Sequence, residues 1–412
     1  MNTSSTSLRS EYITSLAQRA TVPLLKLFAA AQKKADHGPK PRHRPEVYSA
    51  DLIEALLMLR VQLNLSFRTT LAIAGVFLQR HGFPAVRLPC DSHLARRNQA
   101  YGARFQTWTD RQRPCRPGET EAHRNAAPLR DRIPLDPDQF WVPDNITQLL
   151  ETYDEHHQVW VGLDSTGLSV KAPGLWRRDK PGGEKPPVGQ TSTGQKQNGI
   201  REYAKVHTAT DLATGRVLAV WVTRSGVTDN LGGEYLLRRL QPYLHGRTRT
   251  VVADGAYDDR AVYTVMQELG VTQSLIRPPA KAKVAPEDPA YALRNVMVNL
   301  ATRHRHIIPG DASWRELTGY HVRSLTETTF SVLTQLTGSR LRSRSESGQL
   351  AEIHWRMELL NGYRSCTRSP LALTDRAASV QAAHRDELIP LPTGTRYVRR
   401  TPVLRRGRGS NP

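Results

Sequence analysis

The chain has 412 residues, enough for two or three domains, and 38% of them are hydrophobic, enough to fill buried cores. It carries 58 Lys+Arg against 38 Asp+Glu, a formal charge of +20, which points to a polyanionic partner, nucleic acid being the usual one. No apolar run reaches the roughly 18–20 residues of a membrane span, no secretory signal is visible, and the widely spaced Cys90, Cys115 and Cys366 exclude a Cys-x-x-Cys zinc site, so the expectation is a soluble intracellular protein.

Residues 1–45 read as a basic, proline-containing, flexible arm. From Ser49, a plausible N-cap, "SADLIEALLMLRVQLNL" is apolar at helical spacing. A second helix starts at Ser66 and stops at Gly82, and a third, capped by Asp91 or Ser92, carries Arg96, Arg97 and Arg104. Three helices with tight joints, the last one basic, fit a helix-turn-helix-like DNA-binding domain over residues 46–110, with Arg96 and Arg97 as contacts. A small helical bundle with a solvated basic face fits the same pattern. Residues 111–150 are polar and proline-rich and read as a linker.

The pattern then turns to strands. "QVWVGLDSTGLSV" is β-rich, and "YAKVHTATDLATGRVLAVWVTRSG" reads as a hairpin around Asp211–Gly215. Between them, "RDKPGGEKPPVGQTSTGQKQNG" reads as a mobile basic loop. Alternating helix and strand follow, so residues 151–365 predict a mixed α/β sheet flanked by helices. The loop "RPPAKAKVAP" places Arg277, Lys281 and Lys283 for DNA backbone contact. Residues 366–412 end in an arginine-rich stretch that reads as a disordered tail adding non-specific affinity.

Two apolar runs reach an aspartate: Val159–Leu163 before Asp164, and Val251–Ala253 before Asp254. A strand running into a turn explains either one; a metal ligand at a strand end explains both. On neighbouring strands the two carboxylates can converge, and hard cations such as Mg²⁺ take such oxygen ligands. A pair of ions can clamp the attacking and leaving oxygens of a phosphoryl transfer, which needs a third carboxylate. At about 100° per residue, Tyr320, Arg323, Glu327 and Thr334 share one helix face, opposite Val322, Leu325, Val332, Leu333 and Leu336. Glu327 is then the third candidate, although an ordinary Arg323–Glu327 pair at i,i+4 fits too. Asp258 and Asp259 read as helix caps, Asp211 as part of its turn, His207 as packed, and Asp229 as near the site without being a ligand.

"DSTG", "DGAYD" and "YHVRSLTE", in this order, resemble bacterial insertion-sequence transposases of the DDE type over about residues 45–365. Tyr320, Arg323 and Glu327 meet the Tyr-x-x-Arg-x-x-x-Glu spacing of that family, and "KVH", "VTDN" and the helix with Gln349, Glu352 and Asn361 are further family-like features. Thr334 departs from the pattern, which commonly has Lys or Arg there; Arg340, Arg342 or Arg344 can take over its DNA contact. The resemblance implies a ribonuclease H-like fold with Asp164, Asp254 and Glu327 as catalytic metal ligands and Tyr320 and Arg323 at the DNA. It implies two Mg²⁺ ions, with Mn²⁺ as a substitute. The implied reaction is cleavage at the ends of a mobile element and joining to target DNA, by a homodimer in the bacterial cytoplasm, on the nucleoid. A DNA-binding relic without activity, and a nuclease that cuts without joining, are the competing expectations.

Overall fold

The structure is a computed structural model. It describes residues 48–80, 87–105, 129–133, 135–151, 158–170, 203–223, 226–303 and 318–367, with a few isolated positions between 117 and 127. The arm over 1–45, the stop at Gly82, the basic loop between 178 and 199, and the tail beyond 367 lie outside the described residues. Among the described residues no helix is long and apolar enough to cross a membrane.

The helices and strands, in chain order, are α1 (Ala50–Gln62), α2 (Phe67–Arg80), α3 (Asp91–Arg104), α4 (Leu129–Arg132), β1 (Phe140–Trp141), α5 (Ile146–Glu151), β2 (Val159–Ser169), β3 (Tyr203–Asp211), β4 (Val217–Thr223), α6 (Asp229–Leu244), β5 (Thr248–Ala253), α7 (Arg260–Glu268), β6 (Gln273–Ile276), α8 (Ala292–Arg303), α9 (Ser324–Thr337) and α10 (Glu346–Thr367). The sheet runs β1-β4-β3-β2-β5-β6. β2, β3 and β4 form an antiparallel meander, β1 adds antiparallel to β4, and β5 and β6 extend the other side in parallel. Every residue of β4 is buried, as expected of a strand covered on both faces. Apolar residues of successive strands divide between two cores. One packs Leu168, Ala204, Val206, Val220 and Val222 against α1, α9 and α10. The other packs Val161, Leu163, Ala209 and Trp221 against α6 and α7. This is a mixed sheet between helical layers.

Local chemistry sets the element ends. Ser49 caps α1 by accepting from Leu52 N at 3.2 Å. Asp211 holds the hairpin turn by accepting from Ala213 N, Thr214 N and Thr214 Oγ1. Asp259 caps α7 by accepting from Ala261 N at 2.9 Å. Asp258 corrects the sequence reading: it is an ion-pair residue, held 2.9 Å from Arg294 Nε and bonded by Tyr263 Oη. The N-cap position of α3 is Cys90, with Asp91 already helical. Within 111–150, read as linker, Phe140 and Trp141 form β1 and pair with Trp221 and Val220.

The N-terminal helices do not stand apart from the sheet's own core. Leu52, Leu56, Leu57 and Leu94 share one apolar cluster with Leu350, Ile353 and Met357 of α10. Gly102 lets α3 lie against α10 so closely that a Cβ there would fall 1.7 Å from the Ser347 carbonyl oxygen. Beneath this contact lies a sealed ionic cluster. Glu352 is 1% exposed, between Arg60 (3%) and Arg356 (0%). Its oxygens accept from Arg356 Nη2 at 2.8 Å, Ser343 N at 2.8 Å, Arg342 N at 3.0 Å and Arg60 Nη1 at 3.3 Å. Arg356 also donates to the Gly338 and Arg340 carbonyls.

Candidate active site

The parallel pairing of β2 with β5 runs through Gly162↔Val252. Asp164 and Asp254 each lie two residues beyond that pair, so neighbouring strands deliver both carboxylates in matched register at one end of the sheet. β2 continues past Asp164, which faces Thr208 of β3. β5 ends at Ala253, and Asp254 Oδ1 accepts from Ala256 N at 2.8 Å to cap a 3₁₀ turn over Gly255–Tyr257. Asp254 is therefore a cap through one oxygen while the other faces Arg323.

Arg323 joins the candidate acids. Its Nη1 lies 2.6 Å from Glu327 Oε1 and its Nη2 lies 3.7 Å from Asp254 Oδ2. Burial raises the Asp164 carboxyl above the usual aspartate range; Asp254 adds to that rise, while the Ser165 amide and the Arg323 charge oppose it. Arg323 is itself held above its ordinary value: burial works against its charge, but Tyr320 and the three carboxylates outweigh burial.

Tyr320 is not on the polar face that a continuous helix would give it. Tyr320–Arg323 form a 3₁₀ turn ahead of α9, which rotates the ring inward. Tyr320 is 8% exposed, and its hydroxyl donates to the Ala253 carbonyl at 3.2 Å, next to Asp254. It braces the end of β5. Burial pushes its hydroxyl up to about 12.

Asp229, set aside as a ligand on sequence grounds, lies against the neighbour of Asp164. Its Oδ1 accepts from Ser165 Oγ at 2.6 Å and sits 2.9 Å from Lys205 Nζ. His207 is fully buried on the same face, with Nε2 2.9 Å from Thr223 Oγ1, and burial together with Lys205 lowers its pKa to about 3. The signal that could have found Asp229 is register: His207 pairs with Ser165, and α6 begins where Lys205 points.

The expected DNA-contacting residues fall into separate groups. Arg277 is exposed after β6 and lies against Gly255, beside Asp254. Lys281 and Lys283 follow it, both exposed. Arg340, Arg342 and Arg344 alternate outward on an extended segment that bridges to Ser169 of β2, with Arg342 Nε 2.7 Å from Asn64 Oδ1. Arg96 is exposed and Arg97 half-buried on α3. Thr334 turns its hydroxyl back onto the Phe330 carbonyl at 3.0 Å.

Residues 161–361 match the family described as the transposase DDE domain. This segment is a transposase DDE domain. The DDE domain thus spans β2 through most of α10 and contains every acidic candidate. Among solved structures, the chain is similar to the Mos1 transposase paired-end complex with left transposon end, at 12% identity over 84% of this chain and 82% of that one, with a TM-score of 0.19. A pre-cleavage Mos1 transpososome gives 13% identity over 81% and 98%, also at a TM-score of 0.19. The Mos1 mariner paired end complex with Mn gives 12% over 81% and 98%, at 0.18.

The three candidate carboxylates offer oxygen donors of the kind a hard cation takes, and Asp164 is partly desolvated. Among the described residues no three His, Cys, Asp or Glu side chains close into a ready cage. The Arg323 guanidinium stands between Asp254 and Glu327, where it supplies positive charge to both.

Proposed function

We propose that this transposase uses Asp164, Asp254 and Glu327 to cleave DNA at the ends of its own mobile element and to join those ends to target DNA. The observation that supports this most is the matched register of Asp164 and Asp254 on β2 and β5, with Arg323 linking Asp254 to Glu327. Two strands that present carboxylates at one level, beside a helix that presents a third, are what phosphoryl transfer on a polyanion requires.

In this reading the three carboxylates hold a pair of Mg²⁺ ions, and Mn²⁺ substitutes. Bound there, such ions would stabilise charge on the transferring phosphoryl group and favour ionisation of the attacking oxygen. Arg323 exchanges its contact with Glu327 for a phosphate oxygen when DNA arrives, because a guanidinium forms bidentate contacts with either. Tyr320 keeps the Asp254 backbone in place through the Ala253 carbonyl. Arg277, Lys281 and Lys283 carry the backbone on one side of the acids, and Arg340, Arg342 and Arg344 on the other. Arg96 and Arg97 contact the terminal inverted repeat. The protein works as a homodimer, because two element ends must be held together. The domain plan that goes with this is an arm over 1–45, DNA-binding helices over 46–110, a connection over 111–150, the catalytic domain over 151–365 and a basic tail over 366–412.

A second reading, a DNA-binding relic, draws on Thr334, whose hydroxyl is spent on its own helix where the family has a cation. A cleavage and joining assay on labelled element ends, beside a gel shift, separates the two. Wild type that cuts and joins in Mg²⁺ supports the enzyme. Wild type that binds its ends and never cuts them in Mg²⁺ or Mn²⁺ supports the relic, and cutting without joining supports a simple nuclease.

A further inference from the structure

The chain leaves β6 at Ile276 and meets no further helix or strand until the 3₁₀ turn over Pro289–Tyr291, ahead of α8. In between, Lys281, Lys283 and Val284 are exposed and belong to neither apolar core. Ordering such a stretch costs backbone entropy with little burial in return. Side chains of α7 and α8 nevertheless hold it at several points. Asn295 makes a two-way pair with the Ala285 backbone: Oδ1 accepts from Ala285 N and Nδ2 donates to Ala285 O, both at 3.0 Å. Arg294 donates from Nη1 to the Lys283 carbonyl at 3.1 Å and from Nε to Asp258 Oδ1 at 2.9 Å. Arg260 grips Asp288 at the far end, through Nε at 2.6 Å and Nη2 at 3.3 Å.

The anchor of this brace sits beside the acids. Asp258 directly follows the 3₁₀ turn that Asp254 caps, and its carboxylate is shielded, with the side chain 3% exposed. Arg277, the first residue of the loop, lies against the same turn: a Cβ at Gly255 would fall 3.1 Å from the Arg277 carbonyl oxygen. The turn that places Asp254 therefore also places the start of the loop directly, and its middle through Asp258 and Arg294. A network that only stabilised the core would not need to reach the Lys283 and Ala285 backbone, which lies in the exposed stretch. Lys281 and Lys283 themselves have no ion-pair partner among the described residues, so their charges are available.

We propose that Asn295 and Arg294 are positioning residues that hold the loop around Lys281–Ala285 in one shape before DNA arrives, so that Lys281 and Lys283 meet the phosphate backbone at a fixed offset from Asp254. A loop ordered in advance does not pay its ordering cost on binding, and the surplus appears as affinity. The two lysines and the brace then act as one unit: without the brace, the lysines still carry charge but no longer present it in register with the acids. The contacts are to backbone phosphates, so the effect is the same on any duplex sequence.

This inference rests on the proposed reading of Lys281 and Lys283 as DNA contacts. The test compares full-length wild type, Asn295→Ala, the Lys281→Ala/Lys283→Ala pair and all three changes together. Trypsin cuts after Lys281 and Lys283, identified by mass without DNA, report how often the loop opens, and losing the Ala285 pair should speed them about tenfold. Asn295→Asp keeps the shape and the bond from Ala285 N, so it serves if the alanine variant folds poorly, and it too should be cut faster than wild type. Binding of a labelled duplex should weaken about tenfold in Asn295→Ala. The lysine pair should flatten the salt dependence by about two units of slope. Removing the lysines should cost markedly less affinity in the Asn295→Ala background than in wild type, since groups that act as one unit are not additive. Unchanged trypsin cutting overturns the brace, and so does full additivity, which would mark a merely structural contact. If the lysine pair leaves the slope at the wild-type value while Asn295→Ala still opens the loop, the DNA assignment of the loop has failed, and the positioning role falls with it.

Discussion

The molecule contains two clusters of carboxylates and arginines that behave in opposite ways. Around Glu352, two arginines and two backbone amides surround one carboxylate, and the whole set is shut from water. Burial pushes Glu352 up, yet Arg60, Arg356 and the amides outweigh it and hold it below the usual glutamate range. Around Arg323, three carboxylates depend on one guanidinium, and Glu327 and Asp254 remain 58% and 39% exposed. There Asp164 is pushed the other way. The first cluster has its charge matched and its geometry fixed. The second has surplus negative charge and an open side. Identical residue types therefore make a clamp in one place and an open, negatively charged surface in the other, and the balance of donors to acceptors decides which.

The comparison is open to attack at several points, of which Asp254→Asn is expected to have the largest effect. It should lower cleavage by at least about a thousandfold, since bound metal supplies several kcal/mol of transition-state stabilisation. Binding of element ends, read by gel shift, should be nearly intact. Normal cleavage by this variant would end the distinction between the clusters.

Glu352→Ala should do the reverse. It leaves Arg60 and Arg356 buried without their counter-charge, a change that costs about 3–5 kcal/mol of stability. Denaturant melts should show that loss, while the cleavage rate per folded molecule stays near wild type. A stable Glu352→Ala protein with dead chemistry would mean that this cluster belongs to the site.

The opposite shifts predict opposite pH dependence. Glu352 has a depressed folded pKa, so its contribution is present above the ordinary glutamate range and is lost as pH falls through the folded value. Asp164 has a raised folded pKa, so its contribution is present below the ordinary aspartate range and is lost as pH rises through the folded value. In metal-free protein, Asp164→Asn should therefore melt at or above wild type near neutral pH, with the gap closing on acidification. The deficit of Glu352→Gln should instead be widest near neutral pH. Curves of the same sign for both variants would refute the contrast.

The smallest expected effect is at Thr334. Thr334→Lys restores the cation common in the family, and one added phosphate contact should steepen the salt dependence of binding by about one unit of slope. An unchanged slope would place the lost function with Arg340, Arg342 or Arg344.

The parts of this arrangement that sequence could show are those written in short-range pattern. β2 and β5 were legible because unbroken apolar runs end in Asp164 and Asp254, and α9 because its apolar residues recur at helical spacing. The turn at Asp211 and the cap at Asp259 follow from local backbone chemistry. What stayed hidden depends on long-range register. Asp229 reaches Ser165 only because β3 places Lys205 and His207 beside β2 under the start of α6. Tyr320 turned inward because one turn ahead of α9 is 3₁₀, which a uniform helical period cannot reveal. Asp258 looked like a cap until Arg294, far along the chain, took its carboxylate.

The tight seat of Gly102 on Ser347 has a consequence for how such a chain can evolve. A fragment cut to begin at residue 129 would strip α1 and α3 from α10 and bare the leucines and tryptophan that face them, leaving a surface prone to aggregate. The helices that carry Arg96 and Arg97 are thus not a detachable cassette. Under the proposed role for these helices, new end-recognition would have to arise by exchange of surface residues on α3, one at a time, rather than by shuffling in a foreign reading head.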